Sequence, residues 1–411
     1  AYAAQLAFFD AQFGRMVSAL RESGQLDNTM IVFIQGDNGS SGEGGIEGRI
    51  DETSWINGEP ADDISYAEGR IDDIGGPDAY NIFPAGWAWA MNTPFKWFKQ
   101  AASHFGGTRN GMVISWPARI PGNGTVQSQF SHVSDIAPTI LEAVGVEAPT
   151  VVNGVRQQRL DGIRLVYSFD DPQAASQRTS LPLEMMQNVA MIKDGWVAAT
   201  TPLYMPWKLG GPQQAVPMSE RNWELYNVAN DFSEAHDLAV QRPDKLKELQ
   251  SEFAKEAATN NIDPIHPPGA GTRGRPRASQ GRTTFTYLGG TENVDRGAAP
   301  NVLNTSFTLD ADIDLSHRGA SGVILAHGGL TGGYSLYLKD GRLTFCYNAV
   351  APRISIVSAD STLEAGKHAV RARFAFDGGQ AGAGGTLTLL VGGRQLACGR
   401  IDKASARSIP H

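Results

Sequence analysis

Two cysteines in 411 residues, Cys346 and Cys398, leave room for one intrachain disulfide at most. A disulfide-stapled scaffold is therefore excluded, and the sequence does not fix a redox compartment. No apolar run approaches the roughly 18 residues that a membrane-spanning helix needs. Basic residues are not in excess: 35 Lys and Arg face 43 Asp and Glu, for a formal net charge of −8. Bulk charge thus argues against a nucleic-acid partner. No signal peptide is visible. Ala1 to Glu22 already read as the middle of a helix. The chain is therefore expected to start inside a domain, and the absent leader says nothing about compartment.

What is present suits globular cores. The apolar fraction is 41%, an ordinary value for a packed protein. The length suggests two or three domains. Glycine, at 47 residues, is plentiful and points to many tight turns.

Leu6, Phe9, Phe13, Val17 and Leu20 recur at spacings of three and four, one apolar helical face, and Gly24 is a natural stop. The run Met30 to Ile34 is continuously apolar and bounded by turn residues, so it predicts a fully buried parallel strand. A polar, glycine-rich loop from Gly36 to Gly42 follows. Helix, strand and polar loop in that order are α/β grammar, and such sheets bind ligands at the carboxyl ends of strands. Asp37 and Asn38 stand there. Phe95 to Ser103 suggests a short helix, and Met112 to Trp116 a second buried strand stopped by Pro117. Asp135 to Glu142 reads as a helix with Asp135 as N-cap. Residues 187–200 and 222–228 alternate like antiparallel strands, and Pro243 to Ala258 reads as a helix.

Residues 263–283 lose all periodicity and are rich in Pro, Gly and Arg, as a linker or wrapping segment would be. Beyond them, alternating runs recur at 306–309, 322–325, 334–338, 343–347, 368–374 and 386–391. Asp340-Gly341 between two of these is a strong hairpin signal. The spacing suggests a β-sandwich.

Three stretches carry candidate chemistry. A carboxylate beside a carboxamide, Asp37-Asn38, offers two oxygen ligands to a hard cation; the same triplet with Gly39 also suits a plain turn. Lys99 to Arg109 puts a lysine and His104 ahead of a Gly106-Gly107 bend, a composition suited to an anion. Lys96 competes with Lys99 for that role. Trp223 to Val228, followed by Asp231 to Ala239, reads as structural. Trp87, Trp89 and Trp97 suit either a pocket wall or a core.

Jointly and in this order, these stretches resemble the latter part of a sulfatase of the arylsulfatase type, in the alkaline phosphatase superfamily. The residues concerned are Asp37-Asn38, Lys99, Gly106-Gly107-Thr108-Arg109, Trp116-Pro117, Asp135-Ile136-Ala137-Pro138-Thr139, Glu224-Leu225-Tyr226 and Glu234 to Leu238. The resemblance covers roughly residues 1–260. It implies an α/β fold, the C-terminal part of an alkaline-phosphatase-like sulfatase domain over 1–262, then the segment 263–283 and a β-sandwich over 284–411. It implies hydrolysis of a sulfate ester, with Asp37 and Asn38 binding Ca²⁺ (Mg²⁺ in some members). Lys99 would stabilise charge as the S–O bond breaks, with His104 assisting. It also implies a periplasmic or secreted protein.

Sulfatases use a formylglycine made from Cys or Ser in Cys/Ser-x-Pro/Ala-x-Arg, and neither cysteine fits. Ser115-Trp116-Pro117-Ala118-Arg119 fits formally, but the family motif opens a helix and Pro121-Gly122 would break one. The nucleophile, and with it the N-terminal half of the domain, is therefore expected before residue 1 or on a partner chain, and 1–411 alone is expected to be inert. Similar metal loops serve phosphodiesterases and phosphonate hydrolases, so that reading stays open, as does a non-catalytic glycan-binding protein. Gly333 to Leu343 resembles laminin-G or concanavalin-like sandwiches, which implies glycan binding or a structural cover.

Overall fold

The computed structural model describes residues 2–36, 38–52, 63–77, 79–122, 124–205, 207, 215–267, 276–329, 332–349 and 354–406. They form two compact units. The first joins Ala1–Ile46 to Pro84–Gly271, and the second joins Glu47–Phe83 to Thr272–His411. Within the predicted linker, residues 268–275 lie outside the described residues.

The first unit opens with helix α1 (Tyr2–Glu22), closed by Gly24 at φ 70°. Its apolar stripe sets Phe9 and Phe13 against Phe33 of strand β1 (Ile31–Gln35), at ring-centroid distances of 6.0 and 5.2 Å. No α1 side chain is buried. The short helix α2 (Ile64–Glu68) belongs to the second unit. Helix α3 (Ala85–Asn92) turns Ala85 and Ala88 inward. Strand β2 (Gly111–Ser115) pairs with β1 antiparallel, Ile31 opposite Ser115 and Gln35 opposite Gly111.

Two expectations are corrected here. The strand at 31–35 is neither parallel to its neighbour nor fully buried, and Val113 of β2 is 60% exposed. A continuous apolar run specifies that both faces favour cover; it does not specify the direction of the partner strand. The helix expected over 95–103 is absent. Trp97 and Gln100 have φ of 62° and 82°, incompatible with a right-handed helix, and the chain there forms loops.

Helix α4 (Ile136–Ala143) follows a 3₁₀ turn that His132 and Asp135 close reciprocally: Ser134 N–H donates to His132 Nδ1 and His132 N–H to Asp135 Oδ2. Asp135 is fully buried and also paired with Arg178. A small hairpin, β3 (Val151–Val152) and β4 (Val155–Arg156), precedes a four-stranded meander. Its strands are β5 (Ser180–Met185), β6 (Asn188–Lys193), β7 (Trp196–Thr200) and β8 (Trp223–Asn227). Helix α5 (Pro243–Thr259) packs Leu249, Phe253 and Ala257 onto Val189, Met191, Ala198 and Leu225. The opposite face takes Phe105 against Ala190, Ile192, Val197 and Tyr226. A sheet covered on both sides explains why β6 is buried almost throughout. It also anchors the loop that carries Lys96, Lys99 and His104.

In the second unit, β9 (Phe307–Leu315), β14 (Gly366–Phe376), β15 (Ala383–Val391) and β16 (Arg394–Lys403) form one antiparallel sheet in the order 16-15-14-9. Strands β10 (Gly322–Gly329), β11 (Gly332–Lys339), β12 (Arg342–Asn348) and β13 (Ile354–Thr362) form the other. Inward residues of both, among them Leu336, Phe345, Val357, Phe374, Leu387 and Ile401, share one core. This is a β-sandwich. Asp340 and Gly341, at φ 51° and 75°, make the tight turn between β11 and β12. Cys346 and Cys398 are both free thiols.

Candidate functional site

The loop after β1 lies against the loop before β2. Gly39 has φ 91°, and a Cβ there would fall 2.0 Å from the carbonyl oxygen of Gly106. A Cβ on Gly106 would in turn meet the Lys96 and Trp97 carbonyls at 2.1 and 2.2 Å. Only glycine lets the two backbones approach this closely. Asn92 stitches them together: its Oδ1 accepts from Ser40 N–H at 3.1 Å and its Nδ2 donates to the Trp97 carbonyl at 3.0 Å. Lys99 N–H donates to the Ser40 carbonyl at 3.1 Å. The segment bearing Asn38 and the segment bearing Lys99 are thus one piece.

At that junction sits a polar cluster. Lys99 Nζ donates to Glu43 Oε2 at 2.8 Å, Gln100 Nε2 donates to Glu43 Oε1 at 2.5 Å, and Ser41 Oγ donates to Glu43 Oε2 at 2.8 Å. Burial alone would raise the Glu43 carboxyl. The hydrogen bonds and charge of Lys99, with Ser41 and Gln100, outweigh it and hold the group below its ordinary value. Lys99 keeps 29% of its side chain exposed, against 11% for Glu43, so the ammonium is the accessible partner.

Lys96, three residues earlier, belongs to a different network. Its Nζ donates to Tyr226 Oη at 2.8 Å and lies 3.9 Å from Glu224 Oε2. Glu224 also accepts from Tyr226 and Thr201 and meets His104 Nε2 at 3.3 Å. Burial pushes its carboxyl up, but His104, Thr201 and Tyr226 together bring it down to about 2. Tyr226 is pushed up by burial and by the adjacent Glu224. His104 is fully buried, with Nδ1 2.9 Å from Ser103 Oγ. Glu234 is buried too: Oε2 accepts from Phe105 N–H at 3.0 Å, Oε1 has no partner among the described residues, and burial raises its carboxyl. Arg109 places its guanidinium 4.2 Å from the Phe232 ring centroid.

Of the residues singled out from sequence, the structure brings Asn38 and Lys99 onto adjoining loops and sets His104 behind them, inside the β8 network. Asp37 lies outside the described residues. Among the described residues no three Asp, Glu, His or Cys side chains cluster as a metal site. Glu43, a carboxylate at this loop junction, is taken by Lys99, so the described residues alone do not make a Ca²⁺ cage. Sequence reasoning missed Glu43 and Gln100. Glu43 stands 56 residues from Lys99, and nothing local signals such a pairing.

Residues 1–146 match the family model described as Sulfatase. A sulfatase of Schizosaccharomyces pombe, described as uncharacterised, is 27% identical over 254 residues, which is 60% of this chain and 41% of that protein. An arylsulfatase of Klebsiella aerogenes is 30% identical over 146 residues, 36% of this chain and 29% of that protein. A solved structure concerning glycosaminoglycan metabolism by Bacteroides thetaiotaomicron covers 61% of this chain and 43% of its own, at 20% identity and a TM-score of 0.38. The first unit mixes helices with sheets, and the second is sheet-rich. Residues 1–146 are thus similar to the sulfatase family, and the chain spans less than half the length of the curated relatives above.

Proposed function

We propose that this chain is part of a sulfuric ester hydrolase of the arylsulfatase type, exported to the periplasm or the outside, and that Lys99 is its sulfate-facing cation. The observation that carries the reading is the Lys99–Glu43 pair. It is a part-exposed ammonium held on the same loop junction as Asn38, within the residues that match the sulfatase model. A substrate anion would take the place of Glu43 on Lys99. The ammonium would then oppose the negative charge that grows on the ester oxygen as the S–O bond breaks, an effect of the oxyanion-hole kind. Gln100 and Ser41 would keep Glu43 satisfied once Lys99 has turned away.

Asp37 and Asn38 are proposed as oxygen ligands of Ca²⁺, or of Mg²⁺. Such an ion would draw charge from the sulfate oxygens. The described residues do not complete its shell, so no step is routed through it. Ser115 to Arg119, the stretch that fits the formylglycine motif formally, closes strand β2 and does not open a helix, so no nucleophilic step is assigned to this chain. His104, sealed from solvent, acts in this reading as a positioning residue that braces Glu224 and, through Tyr226, the neighbouring Lys96.

The test is hydrolysis of 4-nitrophenyl sulfate and of bis(4-nitrophenyl) phosphate by the protein made from its full coding sequence. Sulfate ester turnover is expected, and Lys99→Ala should lower kcat by about 10²–10³-fold without changing Tm. Faster phosphodiester cleavage, or an unaffected Lys99→Ala variant, would sink the reading.

A further inference from the structure

Lys99 stands in a tight turn whose next residue is an unusual choice. Ala101 N–H donates to the Phe98 carbonyl at 3.1 Å, and Gln100 has φ 82°. Lys99 and Gln100 are thus the two central residues of a type II turn, whose second central position calls for glycine or asparagine. A glutamine there holds its backbone in a strained conformation. Glycine is not scarce nearby: Gly39, Gly106 and Gly107 stand at the neighbouring positions where a Cβ would strike backbone. Position 100 keeps its side chain against that trend.

The strain is held from outside. Asn188 Nδ2, at the start of β6, donates to the Gln100 carbonyl at 2.9 Å, and Asn188 is 3% exposed. Asn92 does the same for the carbonyl of Trp97, the other non-glycine residue of this loop at positive φ. Two asparagines from separate elements therefore bracket Lys99. In return, the Gln100 side chain reaches one partner: its Nε2 donates to Glu43 Oε1. Strain that one substitution to glycine would relieve points to a use for that contact.

The contact divides the Glu43 carboxylate. Oε1 belongs to Gln100, and Oε2 to Ser41 and Lys99. When an anion takes Lys99, two neutral donors remain, and the carboxylate stays in place and ionised. A fixed negative charge then stands beside the bound anion. Repulsion scales with the charge of that anion, so a dianion is penalised twice as much as a monoanion.

We propose that Gln100 is a positioning residue that fixes Glu43 as a charge filter, so that the Lys99 site favours singly charged oxyanions, such as a sulfate monoester, over doubly charged ones, such as a phosphate monoester. The proposal rests on the reading of Lys99 given above and adds to it the charge of the anion that is admitted.

The experiment titrates the protein made from its full coding sequence with methanesulfonate and methylphosphonate, read by calorimetry at pH 9. The two are close in shape, resist hydrolysis, and carry one and two negative charges. Glu43→Gln should shift the ratio of their dissociation constants towards methylphosphonate by about three- to thirtyfold, the effect of one unit charge about 5 Å away at a partly exposed site. Gln100→Gly should shift it the same way by a smaller factor, and no further in the Glu43→Gln background. Gln100→Asn, which tolerates the same φ but falls short of Glu43, should behave alike, which separates this role from the shape of the turn. An unchanged ratio in Glu43→Gln would overturn the filter. A ratio that moves in Glu43→Gln but in neither Gln100 variant would overturn the role of Gln100. Lys99→Ala should weaken both anions; if it weakens neither while Glu43→Gln still moves the ratio, the Lys99 reading fails and the filter stands. Failure of both anions to bind the wild type would overturn the two together.

Discussion

The β5–β8 meander with α5, and the β1–β2 pair with α1, are built from the same ingredients: an amphipathic helix laid on apolar strands. Their fates differ. Val189, Met191, Ala198, Leu225 and Leu249 are sealed, and Phe253 is 3% exposed. In α1 nothing is buried, and Phe9 is 48% exposed. Periodicity tells which face of an element is apolar. Burial depends on how many neighbours reach that face, and the meander has cover on both sides.

The comparison is sharpest at single aromatics. Phe253→Ala should cost about 3–5 kcal/mol, the transfer and cavity terms together, as a fall in the urea midpoint of unfolding. The same truncation at Phe9 should cost less than about 1 kcal/mol, as at other exposed sites. An equal loss at both positions would break the comparison and show that α1 is covered in solution.

The meander also carries the strongest pH signature. Glu224, held at about 2 in the fold against an ordinary 4.5, contributes stability that is fully present above its unfolded value. That stability is lost as pH falls from about 4.5 towards 2. The share is about 3 kcal/mol, and it should vanish from the pH dependence of unfolding in Glu224→Gln. Glu234 has the opposite sign. Burial raises its carboxyl, so it destabilises the fold increasingly as pH climbs past the unfolded value. Glu234→Gln should therefore remove that destabilisation at the higher pH. A wild-type stability flat between pH 3 and 7 would refute the first assignment.

Much of the secondary structure was legible. Helices α1, α4 and α5, strands β6 to β8 and the Asp340-Gly341 hairpin follow from periodicity and turn chemistry. Strand β16 escaped because its run is polar and contains Gly399, a residue required because Val357 Cγ2 sits where a Cβ would lie, 2.6 Å away. Helix α3 escaped because Trp87 and Trp89 alternate with alanines, as in a strand. The site was legible only in part. Lys99 and Asn38 stand in recognisable motifs, whereas Glu43 becomes visible only after two distant loops meet. The choice between Lys96 and Lys99 likewise turns on partners 130 and 56 residues away.

The two unbonded thiols of the sandwich are unequal. Cys398 is exposed, while Cys346 is half-buried and burial raises its thiol above the ordinary value. Access favours attack at Cys398, and burial holds back the thiolate of Cys346. A maleimide dye at neutral pH should therefore mark one position first, giving the C-terminal unit a ready-made spectroscopic reporter with no residue changed.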